Sequence, residues 1–97
     1  MMNKKIKVIE FSGESCANCY SLFPILFEIM KSYDDCELIH IELTENNKDI
    51  IEKYQIDKVP LILILKDDIE IGRCRGYQPE EILEIWLKTK IIDARRK

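Results

Sequence analysis
Residues 6–30 read IKVIEFSGESCANCYSLFPILFEIM, and the fold turns on the change of period inside this stretch. Ile6, Val8 and Phe11 flank Ile9 in a β-branched-rich run that ends at Ser12 and Gly13, the pattern of a strand buried on both faces. From Cys16 onward, Leu22, Phe23, Leu26, Phe27, Ile29 and Met30 recur at spacings of three and four, which predicts a helix running to about Tyr33. A kink is expected at Pro24, which has no N–H for the carbonyl of Tyr20. The motif Cys16-Ala17-Asn18-Cys19 therefore falls where a buried strand feeds a helix. The unsatisfied N–H groups and positive dipole end of a helix N-terminus favour a thiolate, the species that attacks a disulfide. Two intervening residues let Cys19 reach the Cys16 sulfur and expel a bound partner, so dithiol redox chemistry is the first reading of the pair.

Downstream, Leu38–Leu43 reads as a second strand with Ile39, Ile41 and Leu43 on one face. Asn46 or Asn47 can cap a short helix that buries Ile50, Ile51 and Tyr54. Pro60 enters a third strand, Leu61–Leu65, and the turn Lys66-Asp67-Asp68 leads to a fourth from Ile69 to about Arg75, the spacing of a β-hairpin. Pro79 at a first helical position, followed by Glu80 and Glu81, opens a last helix expected to bury Ile82, Leu83, Ile85, Trp86 and Ile91 or Ile92. The predicted order is β-α-β-α-β-β-α, an α/β fold with a four-stranded mixed sheet flanked by helices. Right-handed crossover makes the first two strands parallel, and the hairpin supplies an antiparallel pair.

The whole chain of 97 residues reads as one domain, 1–97, since this length closes one core and not two. A hydrophobic content of 46% with 34% charged residues excludes a disordered chain, and a formal net charge of −3 argues against nucleic acid or an anionic membrane as the main partner. Lys7 and Glu10 interrupt any leader-like apolar segment, and the longest apolar run, Val59–Leu65, falls far short of the ~20 residues of a membrane helix. These features predict a cytoplasmic protein, in which cysteine spacing points to redox or metal chemistry rather than to a disulfide framework.

With these residues in place, the chain resembles the thioredoxin superfamily along nearly its whole length. Phe11 stands five residues before Cys16 and Pro24 five after Cys19, where that family carries an aromatic residue and a helix-kinking proline. Tyr54-Gln55-Ile56-Asp57-Lys58-Val59-Pro60 is similar to its Tyr-x-Ile/Val-x-x-Ile/Val-Pro segment, and Gly76 follows Pro60 at the family's glycine. The resemblance implies a thioredoxin-like fold without the N-terminal strand and helix, a protein-disulfide reductase activity needing no cofactor, and a Cys16/Cys19 couple in which Cys16 attacks and Cys19 resolves. It further implies that Pro60 is cis and faces the CxxC, that Val59 offers its backbone to a client, and that Gly76 borders the same surface. Glu10, six residues before Cys16, falls where the family has a buried aspartate that accepts the proton of the second cysteine. A carboxylate inside an apolar strand is costly unless paired, solvated or protonated, so a raised pKa fits that role, the alternative being an ordinary exposed strand glutamate. Expected partners are protein disulfides and a cellular reductase.

The sequence departs from the family at Ser15, at Ala17-Asn18 and at Asp68 of the hairpin turn, positions that bear on substrate range and potential. A glutaredoxin-like protein is the runner-up, but Gly13, Ala17-Asn18 and Gly72-Arg73 stand where such proteins carry glutathione-binding groups. Glu14 repels that anionic substrate unless Lys58 and Arg73 or Arg75 converge on the site. A zinc site would need Cys36, His40 or Cys74 to join the CxxC and lacks a second ligand pair at metal spacing, so no metal is expected. A non-catalytic binding module is the remaining class. Cys36 is predicted at the far end of the sheet, Cys74 as a strand cysteine near Pro60 with a third redox thiol as the alternative, and His40 as a surface residue away from the CxxC end. The open edge at Leu38–Leu43 predicts a monomer or a weak dimer.

Overall fold
The computed structural model describes residues 5–97, so the first four positions of the proposed domain and of the leader reading lie outside it. Its elements run β1 (Ile6–Gly13), α1 (Ala17–Met30), β2 (Cys36–Leu43), α2 (Lys48–Tyr54), β3 (Leu61–Lys66), β4 (Ile69–Arg75) and α3 (Glu80–Arg95), in the order the sequence predicts. The four strands form one sheet in the order β2-β1-β3-β4. β1 runs parallel to β2 with Glu10 opposite His40, and antiparallel to β3 with Phe11 opposite Leu61. β4 returns antiparallel to β3, bringing Arg75 opposite Leu61. The C-terminal ends of β1, β2 and β4 and the start of β3 therefore share one end of the sheet.

β1 and β3 are buried along almost their whole length because both sheet faces are covered. Ile6, Val8, Ile62 and Ile64 point to one face and pack with Leu22, Leu26 and Ile29 of α1 and with α3. Ile9, Phe11, Leu61, Leu63 and Leu65 point to the other, under Ile50 and Tyr54 of α2 and Ile39, Ile41 and Leu43 of β2. Each fully buried side chain of this kind contributes roughly 1.5–3 kcal/mol, so the central strands hold the two layers together. The β3–β4 connection places Asp67 at φ 51° and Asp68 at φ 67°, two left-handed residues in succession as a type I′ hairpin turn requires. Aspartate tolerates that region, which is why the turn forms without glycine.

Five local expectations are corrected. In α3 the inward stripe is Leu83, Leu87, Ile91 and Ala94, whereas Ile82 is 55% and Ile85 67% exposed. The helix carries more apolar residues than one face can hold, and the stripe spaced four, four and three wins the sheet contact. Asn47 stands at the N-cap of α2, but its Oδ1 accepts from the backbone N–H and hydroxyl of Thr44 at 2.7 and 3.0 Å rather than from the helix. Ile50, Ile51 and Tyr54 are only half-buried, with no α2 residue fully enclosed. α1 ends at Met30 rather than near Tyr33, and Pro79 occupies the N-cap of α3 rather than its first turn. Among the described residues no helix is long and apolar enough to cross a membrane.

Candidate active site
Between the end of β1 at Gly13 and the start of α1 at Ala17 the chain must reverse within three residues. Ser15 makes the reversal at φ 55°, a left-handed conformation that a non-glycine residue adopts only at some cost. Cys16 then falls at the N-cap of α1 in extended conformation, and its Sγ accepts the backbone N–H of Cys19 at 3.2 Å. The sulfur thus takes the position of a capping oxygen, where partial positive charge stabilises a thiolate. Cys16 and Cys19 are joined as a disulfide, with Cα atoms 5.3 Å apart. Cys16 is half-buried while Cys19 is 3% exposed, so an incoming sulfur meets Cys16 first.

Glu10 is fully buried, which removes the exposed-strand alternative. By the alternation of β1 it shares the face of Ile6 and Val8, the face that α1 covers, and Cys19 lies on the buried side of α1. Neither carboxyl oxygen receives a hydrogen bond, and burial alone pushes the Glu10 carboxyl up from 4.5 to about 7. A carboxyl poised near neutrality suits proton exchange with a thiol.

His40 is not remote from this end of the molecule. The parallel register sets it beside Glu10, and its Nε2 lies 3.1 Å from Glu10 Oε1 and 2.8 Å from Ser12 Oγ. The contact to Glu10 is within ion-pair range but is not aligned as a hydrogen bond, which is how Oε1 remains unbonded. Phe23 of α1 packs on the imidazole with ring centroids 4.6 Å apart. A cavity of about 230 Å³ opens here, lined by Ser12, Cys19, Phe23 and His40 among others. Neither His40 nor Ser12 stands out in the sequence as a functional residue. The signal lay in the alternation of β2, which puts Ile39, Ile41 and Leu43 on one face and hence His40 on the other.

The Val59–Pro60 peptide is cis, as the resemblance implies, and Pro60 is buried at the start of β3. The N–H of Gly76 donates to the carbonyl of Pro60 at 2.7 Å, tying the end of β4 to this loop. Gly76 sits at φ +84°, and a Cβ there would lie 3.4 Å from Lys58 Nζ. Val59 packs toward β1: a Cβ on Gly13 would approach its Cγ2 to 3.2 Å. Val59, Pro60 and Gly76 are thus gathered at the end of the sheet where Cys16 emerges. Arg73 and Arg75 are engaged by other groups. Arg73 donates to the carbonyls of Tyr54 and Gln55 and to Glu70, and Arg75 to Asp57 at 3.1 Å. These guanidinium hydrogen bonds hold the Glu70 and Asp57 carboxyls below their ordinary values.

The remaining cysteines stand apart from the pair. Cys36 is buried opposite Ile6 at the far end of the sheet, its thiol directed to Asp35 Oδ1 at 3.7 Å. Cys74 pairs with Ile62 and packs against the α1–α3 core, where burial pushes its thiol up and disfavours the thiolate. Among the described residues no group of three or more His, Cys, Asp and Glu side chains is arranged to hold a metal ion.

Comparison with known proteins matches residues 1–89 to the family model described as Thioredoxin. An H-type thioredoxin of Fagopyrum esculentum is 28% identical over 79 residues, covering 81% of this chain and 67% of that protein. A thioredoxin of Staphylococcus epidermidis is 27% identical over 79 residues, covering 80% and 75%. A chain in the crystal structure of the ferredoxin:thioredoxin reductase and thioredoxin f2 complex superposes with a TM-score of 0.80 at 23% identity, over 90% of this chain and 78% of that one, a likeness of fold.

Proposed function
This chain belongs to the thioredoxin family and is a thiol–disulfide oxidoreductase, and we propose that Cys16 is its nucleophile, Cys19 its resolving thiol and Glu10 the proton acceptor for Cys19. The observation that carries the assignment is the asymmetry of the pair: a half-buried sulfur at a helix N-cap bonded to one that is almost wholly enclosed. In the reduced protein the Cys16 thiolate attacks a client disulfide, one client sulfur leaves as thiolate, and a mixed disulfide forms. Cys19 gives its proton to Glu10 and attacks the Cys16 sulfur, closing the Cys16–Cys19 bond and releasing the second client sulfur. Two electrons pass from the dithiol to the client.

The client docks, in this reading, as an extended segment along the backbone of Val59, with Pro60 and Gly76 shaping the surface, so side-chain selectivity is weak. Protein disulfides are the substrates and a cellular reductase returns the electrons, a reading supported by the reductase complex in which a structural neighbour occurs. We place the protein in the cytoplasm, as one domain over 1–97, a monomer or a weak dimer through the open β2 edge. The test is trapping: Cys19→Ser accumulates mixed disulfides with clients in a lysate, whereas Cys16→Ser does not. Accumulation with Cys16→Ser instead reverses the two roles.

A further inference from the structure
Glu10 poses a transport problem. A carboxyl that takes a proton from Cys19 in every cycle must lose it again, yet its side chain has no exposed surface and no hydrogen-bonded partner. Water cannot reach it directly. On β3 the paired residue is Ile62, and α1 and α3 close the same face with Leu22, Leu26, Leu83 and Leu87. The polar atom the structure sets against it is His40 Nε2, at 3.1 Å, on a side chain that is 40% exposed at the edge strand. The imidazole is held there by Ser12 Oγ and by the Phe23 ring, so it has one end inside the protein and the other in solvent.

We propose that His40 is the port through which the Glu10 carboxyl exchanges its proton with water, so that the proton released by Cys19 leaves the protein at the β2 edge. The proposal rests on the reading of Glu10 as proton acceptor. After resolution the protonated Glu10 gives its proton to the unprotonated Nε2 of His40. The transient imidazolium then loses the proton on Nδ1 to water, and tautomer exchange resets the ring. One proton leaves Cys19 and one enters solvent, with no electron transfer in these steps. The cavity that Cys19, Ser12 and His40 share sets the port beside the thiol it serves. Other titratable groups facing the ring are Tyr20 of α1 and Glu42 of β2, both on the cavity wall, while α3 turns only Leu83, Leu87, Ile91 and Ala94 to this side of the sheet. His40 acts through Glu10 and touches no substrate.

The experiment uses the reduced protein mixed in a stopped flow with one equivalent of an aromatic disulfide. Attack by Cys16 releases the first coloured thiolate and resolution by Cys19 the second. His40→Gln, which keeps a polar partner for Ser12, is expected to leave the first phase unchanged. It slows the second roughly tenfold at neutral pH, a modest part of the 10²–10⁴ that acid–base groups supply. In His40→Ala, added imidazole restores the second phase. Two results overturn the proposal: second phases of His40→Gln and parent that superimpose from pH 6 to 9, or a slow His40→Ala that imidazole leaves slow, which is the mark of a packing role. Glu10→Gln separates the premise from the proposal. If it leaves the second phase unchanged, the acceptor role of Glu10 is lost; if it slows that phase while His40→Gln does not, only the port is lost.

Discussion

Replacing Glu10 with Gln should make the protein gain stability relative to its parent as the pH rises from 4.5 to 8. In the unfolded chain this carboxyl titrates near 4.5, and in the folded protein at about 7. Between those values the folded state holds a proton that the unfolded state has released, so stability falls as pH rises through the window and levels off above it. At 1.36 kcal/mol per pH unit the interval corresponds to about 3 kcal/mol, a large share of the roughly 5–15 kcal/mol that stabilises a domain. Gln does not titrate, and its buried amide adds an offset that is the same at every pH. The informative quantity is therefore the change, between pH 4.5 and pH 8, in the stability difference between variant and parent. Urea unfolding with the Cys16–Cys19 disulfide intact measures it, and the same pair of proteins in a His40→Gln background removes the neighbouring imidazole from the comparison. A difference that stays flat within about 0.5 kcal/mol over that range would refute the assignment of Glu10 as a carboxyl kept neutral by burial.

Leu87→Ala should cost about 2–5 kcal/mol because the side chain is wholly enclosed between α3 and the sheet, while Ile85→Ala on the exposed face should change stability by less than about 0.5 kcal/mol; equal effects would contradict the stripe described for α3. Insulin disulfides should be reduced faster than a glutathione mixed disulfide, since Arg73 and Arg75 are engaged by Glu70 and Asp57 rather than aimed at Cys16. A preference for the glutathione substrate by an order of magnitude would favour the glutaredoxin-like alternative.

The parts of the fold legible in the sequence are those that local periodicity decides. β1 announces itself as doubly buried, the CxxC lies where the period changes, and the hairpin follows from a turn between two apolar runs. α3 was harder because Ile82, Ile85 and Ile92 compete with Leu87 and Ala94 for one face, and only the sheet beneath selects among them. The catalytic pair and Glu10 could be named from spacing and resemblance. His40 could not, because its meaning depends on the register between β1 and β2, and no residue in either strand encodes that register by itself. A face can be read from alternation; a neighbour across the strand cannot.

Glu10 also bears on the life of the chain before it folds. β1 pairs with β3 at Phe11–Leu61, fifty positions later in the sequence, so during synthesis at ~5–20 residues per second the strand waits several seconds for that neighbour. Throughout that interval Ile6–Phe11 is a β-prone segment whose β3-side hydrogen-bonding edge is open, the kind of stretch that recruits other chains. In the solvated nascent chain the Glu10 carboxyl has its ordinary pKa and is charged at neutral pH, interrupting the run near its end, as Lys7 does near its start, in the manner of a gatekeeper residue. Once the sheet closes, the same group is buried and its charge is suppressed. The residue whose burial weakens the finished fold at neutral pH thus guards the unfinished one against aggregation, and a Glu10→Gln protein should yield less soluble material when synthesised, whatever its stability once purified.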